Sequence, residues 1–190
     1  IGTMAKGSGM IHINLGTMLG FITTDCAISS AMLEKALKES VKTTYNCVSV
    51  DGDTSTNDTL LILANGMAGN PEIKTEGEDF NLFLEALNKV NRIMAMKIAS
   101  DGEGATRLVQ CTVNGASSEE NARALAKQVI SSSLVKAAMF GCDANFGRFL
   151  CAMGYSGIEF NPQKVNIWFT SKKNAERYFE NYDDFSVYGE

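Results

Sequence analysis

Residues 78–99 carry one continuous apolar stripe. Phe80, Phe83, Leu84, Leu87, Val90, Met94 and Ile98 recur at three- and four-residue intervals. That period puts them on one face of a helix of about six turns, which has to lie against a sheet or other helices to leave water. Its start is acidic, which suits the positive end of a helix dipole. Just before it, Leu60 to Ala64 is apolar at every position and is closed by Asn65-Gly66. So short a run predicts a central strand rather than a helix. The same alternation recurs along the chain. Residues 17–28 read as a buried strand, with Met18, Leu19, Phe21 and Ile22, and its exit. Ser29 or Ser30 can cap a helix over 31–43 with Leu33, Ala36, Leu37 and Val41 inward. Cys47, Val48 and Val50 read as a short strand.

Beyond residue 100 the pattern continues. Leu108 to Val113 predicts a strand closed by Asn114-Gly115. Ser117 and Glu120 have capping-box spacing ahead of a helix with Ala122, Leu125, Ala126 and Val129 inward. A short helix is expected over 145–153, then an alternating strand at Val165, Ile167 and Phe169. From Ser171 the residues are polar and acidic, and loops or fraying are expected. Strands alternating with helices give an α/β or α+β domain. At 190 residues the chain is long enough for one sizeable core, and no repeat or interdomain linker appears.

Composition removes several function classes. The net charge is −5 and no basic run occurs, which argues against a nucleic-acid binder. The five cysteines are widely spaced without a CxxC, and His12 is the only histidine, so no zinc site is expected. Free thiols fit a reducing compartment. No apolar run is long enough to span a membrane, and residues 1–10 lack the form of a signal peptide. Asp51 to Ser55 starts like a calcium loop, but Thr56 and Ile62 stand where glycine and glutamate are required. Residues 51–58 therefore read as a hydrogen-bonded structural turn. Lys6-Gly7-Ser8-Gly9 is no Walker loop, because the lysine precedes the glycines. Asp101-Gly102-Glu103-Gly104 makes a tight turn that presents Glu103. Arg148 could bind a carboxylate, though a structural ion pair is the plainer expectation.

Gly16-Thr17 stands at the mouth of an apolar strand and allows two readings. It can be a plain strand start. It can also be a self-cleavage point that makes Thr17 a new amino terminus. The second reading needs a small residue before the break and a hydroxyl or thiol after it. The freed α-amine, with a reference pKa just below about 8, can then act as the hydroxyl's own base.

The wider stretch resembles a known processing site. KGSGMIH at residues 6–12, followed by GTML at residues 16–19, resembles the ornithine acetyltransferase (glutamate N-acetyltransferase) family of arginine biosynthesis. That family carries KGSGMI, a short spacer, and a small residue before the nucleophilic Thr of ATML. Here Gly16 replaces the usual Ala, and Ile13 and Leu15 replace a usual Pro and Met. The resemblance continues through VDGDTSTND at residues 50–58, DGEGAT at 101–106 and GCDANFGR at 141–148.

The resemblance implies a layered αββα sandwich in which an autoprocessed N-terminal Thr nucleophile sits. It implies that residues 1–16 end one chain and residues 17–190 form the other. Thr17 would carry an acetyl group from N2-acetylornithine to glutamate, in the cyclic route of arginine biosynthesis. Lys6 and Glu103 would join Thr17 in binding substrate, the ammonium toward an α-carboxylate and the carboxylate toward an amino group. No metal or cofactor is implied, although acetyl-coenzyme A can be a co-substrate. The oxyanion donors, a Thr-Gly pair, belong to a preceding half outside these residues. An α2β2 heterotetramer is implied, in the cytoplasm or, in a eukaryote, the mitochondrial matrix. The family's Asn-Ala-x-Tyr-Arg-Thr tail has no match in residues 171–190, so the tail is read as truncated or divergent. His12 builds no Ser-His-Asp triad with the serines singled out, and a self-activating Thr17 needs none. The competing readings are a related Thr- or Ser-nucleophile amidase or aminopeptidase, and an inactive fragment lacking the complementary half of the site.

Overall fold

The computed structural model describes residues 1–12 and 18–170. Gly16 and Thr17, the expected cleavage pair, lie outside the described residues, as does the expected frayed tail. The chain divides into two compact units, Ile1–Ala105 and a second beginning at Thr106. The one core expected from length is therefore distributed over two units.

The first unit is built on a three-stranded sheet in the order β1-β2-β3, with β1 at Gly2–Lys6, β2 at Leu19–Thr24 and β3 at Thr59–Ala64. β1 runs antiparallel to β2, from Gly2 opposite Thr23 to Lys6 opposite Leu19. β3 runs parallel to β2, from Leu19 beside Thr59 to Thr24 beside Ala64. The connection between these parallel strands contains helix α1, Ser30–Thr43. Ser29 caps it by accepting a hydrogen bond from the Met32 amide at 3.4 Å. Helix α2, Glu78–Ser100, is the striped helix. Phe80, Phe83 and Leu87 from its stripe pack with Ile22 and Ala36 in one cluster. Further along, Ala95 and Ile98 join Ile11, Met18, Tyr45 and Val48 in a second cluster. Each large side chain so buried contributes about 1.5–3 kcal/mol. Between the helices, the buried Asn91 Nδ2 donates to Ser40 Oγ at 2.9 Å.

Three strand expectations in this unit need correction. β3 is an edge of the described sheet, and β2 is central. Nor is β2 buried on both faces. Ile22 is fully buried against the helices, whereas Leu19 and Phe21 are 41% and 43% exposed on the other face. Leu61, Leu63 and Met4 are exposed as well. A continuous apolar run marks two apolar faces, and the described residues cover only one of them. Cys47 to Val50 also form no strand. Tyr45–Cys47 is a 3-10 turn, followed by a single bridge between His12 and Ser49.

The second unit carries three helices among the described residues, α3 at Glu119–Ser131, α4 at Ser133–Phe140 and α5 at Phe146–Gly154. Leu125, Val129, Val135, Ala152 and Met153 form its core. The cap of α3 is Ser118, not Ser117. The backbone of Ser118 is extended, and its hydroxyl accepts from the Asn121 amide at 3.1 Å. Ser117 Oγ instead bonds Asn121 Nδ2 at 2.7 Å. The expected strands at 108–113 and 165–169 carry no ladder in the described residues.

Candidate active site

Three separated motifs of the first unit converge on one loop. β1 ends at Lys6, and the chain turns through Gly7, Ser8 and Gly9 to Met10. Met10 takes a left-handed backbone, φ 55°, which a side chain of its size rarely adopts. Asp51 holds that turn in place. Its Oδ2 accepts the Met10 amide at 2.6 Å and its Oδ1 accepts the Ile11 amide at 3.0 Å. The same Oδ1 accepts the Asp53 amide at 3.1 Å. One carboxylate thus satisfies three backbone donors and joins KGSGMI to VDGD.

The DGEGAT turn closes on the same loop. The Ala105 amide donates to the Gly102 carbonyl at 2.8 Å, and Gly104 takes φ 69°, which glycine permits. Gly102 is buried where a Cβ would lie 2.9 Å from Val50 Cγ1. Gly9 lacks a side chain where a Cβ would stand 3.3 Å from Glu103 Oε1 and 3.9 Å from Asp51 Oδ2. The two glycines let Glu103 come down onto the Lys6–Met10 loop. Glu103 is exposed and meets no hydrogen-bond or ion-pair partner among the described residues. Its carboxylate is open to a cationic or N–H ligand. Lys6, at the start of that loop, is exposed and likewise meets no carboxylate among the described residues. Its ladder partner is Leu19, two residues past Thr17.

Asp58 secures the chain just beyond Thr17. The Met18 amide donates to Asp58 Oδ1, and the Thr59 amide donates to the Met18 carbonyl at 2.8 Å. Burial pushes the Asp58 carboxyl above its ordinary value, while the Met18 bond pulls it back. His12 Nδ1 lies 2.9 Å from Ser49 Oγ, a pairing absent from the triad argument.

These contacts give residues 51–58 the role read from sequence, a hydrogen-bonded turn beside the site. What sequence reasoning missed was which carboxylate holds which amide. The available signal was the spacing of Asp51 and Asp58 around a run of turn-forming residues. GCDANFGR forms a turn and the start of α5 as expected, with Cys142 at φ 56°. Arg148 makes no ion pair among the described residues. Its Nη1 donates to the Leu134 carbonyl at 3.0 Å, so the residue is structural through a backbone acceptor.

The convergent motifs are those of one family, whose profile matches residues 1–184 under the description ArgJ family. The chain belongs to the ArgJ family. The arginine biosynthesis bifunctional protein ArgJ 1 of Clostridium acetobutylicum is 56% identical over 168 residues, covering 88% of this chain and 41% of that one. The ArgJ protein of Thermotoga neapolitana is 49% identical over 178 residues, covering 94% of this chain and 45% of that one. The crystal structure of the arginine biosynthesis bifunctional protein ArgJ from Bacillus halodurans superposes with a TM-score of 0.74 at 44% identity. That match covers 76% of this chain and 68% of the other. The chain spans about two fifths of the length of the curated ArgJ relatives it matches. With that neighbour the mixed α/β class is established.

Proposed function

We propose that this chain carries the nucleophile and part of the substrate site of an acetyltransferase that moves the acetyl group of N2-acetylornithine to glutamate. The observation that carries the reading is the descent of Glu103 onto the Lys6–Met10 loop, which Asp51 holds through the Met10 and Ile11 amides and where Gly9 leaves room for the carboxylate. An open ammonium at the start of this loop and an open carboxylate lying against its Gly9 suit an amino-acid substrate, which bears one group of each sign. Membership of the ArgJ family, whose relatives are named for arginine biosynthesis, supports this reaction class.

In the precursor, Thr17 Oγ attacks the Gly16 carbonyl carbon. The C–O bond forms, the C–N bond breaks, and the hydroxyl proton passes to the Thr17 nitrogen. Water hydrolyses the ester, leaving the Gly16 carboxylate and the Thr17 hydroxyl and amine. In turnover, that hydroxyl attacks the acetyl carbon and gives its proton to the amine. Ornithine leaves with the proton, and the amine of glutamate takes the acetyl group from the ester. The hydroxyl and amine are regenerated, so no metal or redox cofactor is consumed.

The rest of the protein enters the same reading. The open face of the sheet, with Leu19, Phe21, Leu61 and Leu63, is where the second sheet of an αββα sandwich would pack. The oxyanion donors would come from the preceding half. We place the enzyme in the cytoplasm as an α2β2 assembly. The relatives are called bifunctional, and acetyl-coenzyme A as a second acetyl donor to glutamate would account for that word here. Among the described residues no helix is long and apolar enough to cross a membrane.

Thr17→Ala in the full-length precursor tests the core of this proposal. It should stay a single chain by intact mass and lose acetyl transfer from acetylornithine. Thr17→Ser should cleave more slowly and keep partial activity. Full transfer by Thr17→Ala would remove the nucleophile.

A further inference from the structure

The stretch from Lys6 to Ile11 is fixed at both ends by pairing and packing. Lys6 stands opposite Leu19 in the β1–β2 ladder. Ile11 is fully buried with Met18 and Tyr45, and its carbonyl accepts the Val50 amide at 2.5 Å. Between the ends lie Gly7, Ser8, Gly9 and Met10, none of which joins a core cluster among the described residues. Packing therefore does not decide their path. Met10 makes that path costly, because φ 55° suits glycine and disfavours a long side chain. Asp51 offsets the cost. Its Oδ2 accepts the Met10 amide at 2.6 Å and its Oδ1 the Ile11 amide at 3.0 Å. Hydrogen bonds to a carboxylate are stronger than those to a neutral acceptor.

No other side chain of this size can do the same. Asparagine has one acceptor oxygen and one NH2 group. Turned either way, it sets the NH2 against a backbone N–H, at Met10 or at Ile11 and Asp53. A path lost at Met10 is felt at Glu103. The Cβ absent from Gly9 would stand 3.3 Å from Glu103 Oε1 and 3.9 Å from Asp51 Oδ2. Two carboxylates thus reach the same point of the backbone, one holding the loop and the other resting on it. The Ser8 carbonyl lies 3.8 Å from where a Gly102 Cβ would be, so the DGEG turn fits against the same stretch.

We propose that Asp51 is a positioning residue of the substrate site, which sets the separation between the Lys6 ammonium and the Glu103 carboxylate by stabilising the left-handed turn at Met10. The proposal rests on the substrate-site reading given under Proposed function. Asp51 acts through the loop and not on the substrate, since both of its oxygens are given to backbone amides. With the turn in place, the two charges stand at a fixed spacing and receive both charges of an amino acid together. With the turn released, both charges remain, but the substrate has to order the loop as it binds, which weakens binding. Binding lost equally from the ground and transition states raises KM and leaves kcat nearly unchanged.

The test uses the full-length protein. Asp51→Asn should raise KM for acetylornithine about tenfold or more, with kcat within about threefold. Met10→Gly added to Asp51→Asn should bring KM back by about threefold or more, because glycine takes the left-handed turn without the carboxylate. A plain loss of stability lowers Tm and leaves KM alone, and a lost substrate contact is not restored by a glycine. Asp51→Asn with wild-type KM therefore overturns the proposal, and so does a raised KM that Met10→Gly leaves unmoved. If Asp51→Asn does not fold or is not processed, Met10→Val decides, since it keeps Asp51 and opposes the turn with a β-branched side chain. A raised KM for Met10→Val supports the role, and a wild-type KM overturns it. Lys6→Met and Glu103→Gln with wild-type KM would take down the substrate-site reading itself. Raised KM in those two beside a normal Asp51→Asn would remove Asp51 alone.

Discussion

The two units carry the same strand signal and use it differently. In the first, residues 19–24 and 59–64 are extended, apolar and paired, residue beside residue. In the second, residues 108–113 and 165–169 are just as strand-like in sequence and carry no ladder in the described residues. Their side chains still find a core. Cys111, Val113 and Val165 pack on the Leu125 cluster, and Phe169 meets Phe149 edge to face at 5.0 Å between ring centroids. Burial of alternate side chains and pairing of the backbone are thus separable. The first requires only a neighbouring apolar surface. The second requires another strand about 4.8 Å away, with its own unpaired donors and acceptors. An extended segment without that partner is an open edge. Relatives more than twice as long as this chain have ample sequence to fill it.

The largest expected effect contrasts the two units directly. Ile22→Ala empties a fully buried position of the paired sheet and should cost about 2–5 kcal/mol in urea unfolding of the full-length protein. Leu108→Ala, at a position 45% exposed, should stay within about 1 kcal/mol of wild type. Equal losses would mean that Leu108 is covered in the whole protein and that its segment is a paired strand there.

Next in size is a reactivity difference within the second unit. Burial pushes the Cys111 thiol up to about 11 from an ordinary 9.0, whereas Cys142 is exposed. At pH 8 the thiolate fraction of Cys111 should be about a hundredfold below that of an ordinary thiol. Iodoacetamide should therefore mark Cys142 long before Cys111, as read by peptide mass spectrometry. The linkage has a definite sign. A folded-state value above the unfolded one favours the fold while the thiol is protonated. That contribution is whole below about 9 and fades as pH rises toward about 11. Fast labelling of Cys111 in the folded protein would show that its segment opens.

The smallest effect probes two glycines. Gly102→Val drives a branched side chain into Val50 and should cost about 1–3 kcal/mol. It should also raise KM for acetylornithine by displacing Glu103. Gly154→Ala, at the end of α5 with open space around it, should be neutral or stabilise by about 0.5–1 kcal/mol. An unchanged KM for Gly102→Val would separate Glu103 from substrate binding.

Much of the fold was legible because its signals are local. The stripe from Phe80 to Ile98 gave α2 almost to the residue, since one amphipathic face needs only a period. The serine pair Ser29-Ser30 announced α1, because capping is a bond to a residue three positions on, and the structure selects Ser29. The helix after Asn145 followed from the turn before it. For the candidate site the sequence offered a set of motifs, with Lys6, Gly16, Thr17 and Glu103 named from a resemblance spread over the chain, and Gly16 and Thr17 lie outside the described residues.

What the sequence determined by itself was family, the positions of α1, α2, α3 and α5 but not of α4, and the identity of the charged groups presented on tight turns. Only the tertiary structure decided that β2 is central, that Ser118 rather than Ser117 caps α3, and that Asp51 and Asp58 hold the amides of Met10, Ile11 and Met18. Each of those depends on which backbone groups some forty residues apart meet in space, or on which of two adjacent hydroxyls reaches the Asn121 amide. Periodicity reports the face a residue belongs to. It carries no information on which distant donor an acceptor will find, because that choice is made by the packing of α1 and α2 on the sheet.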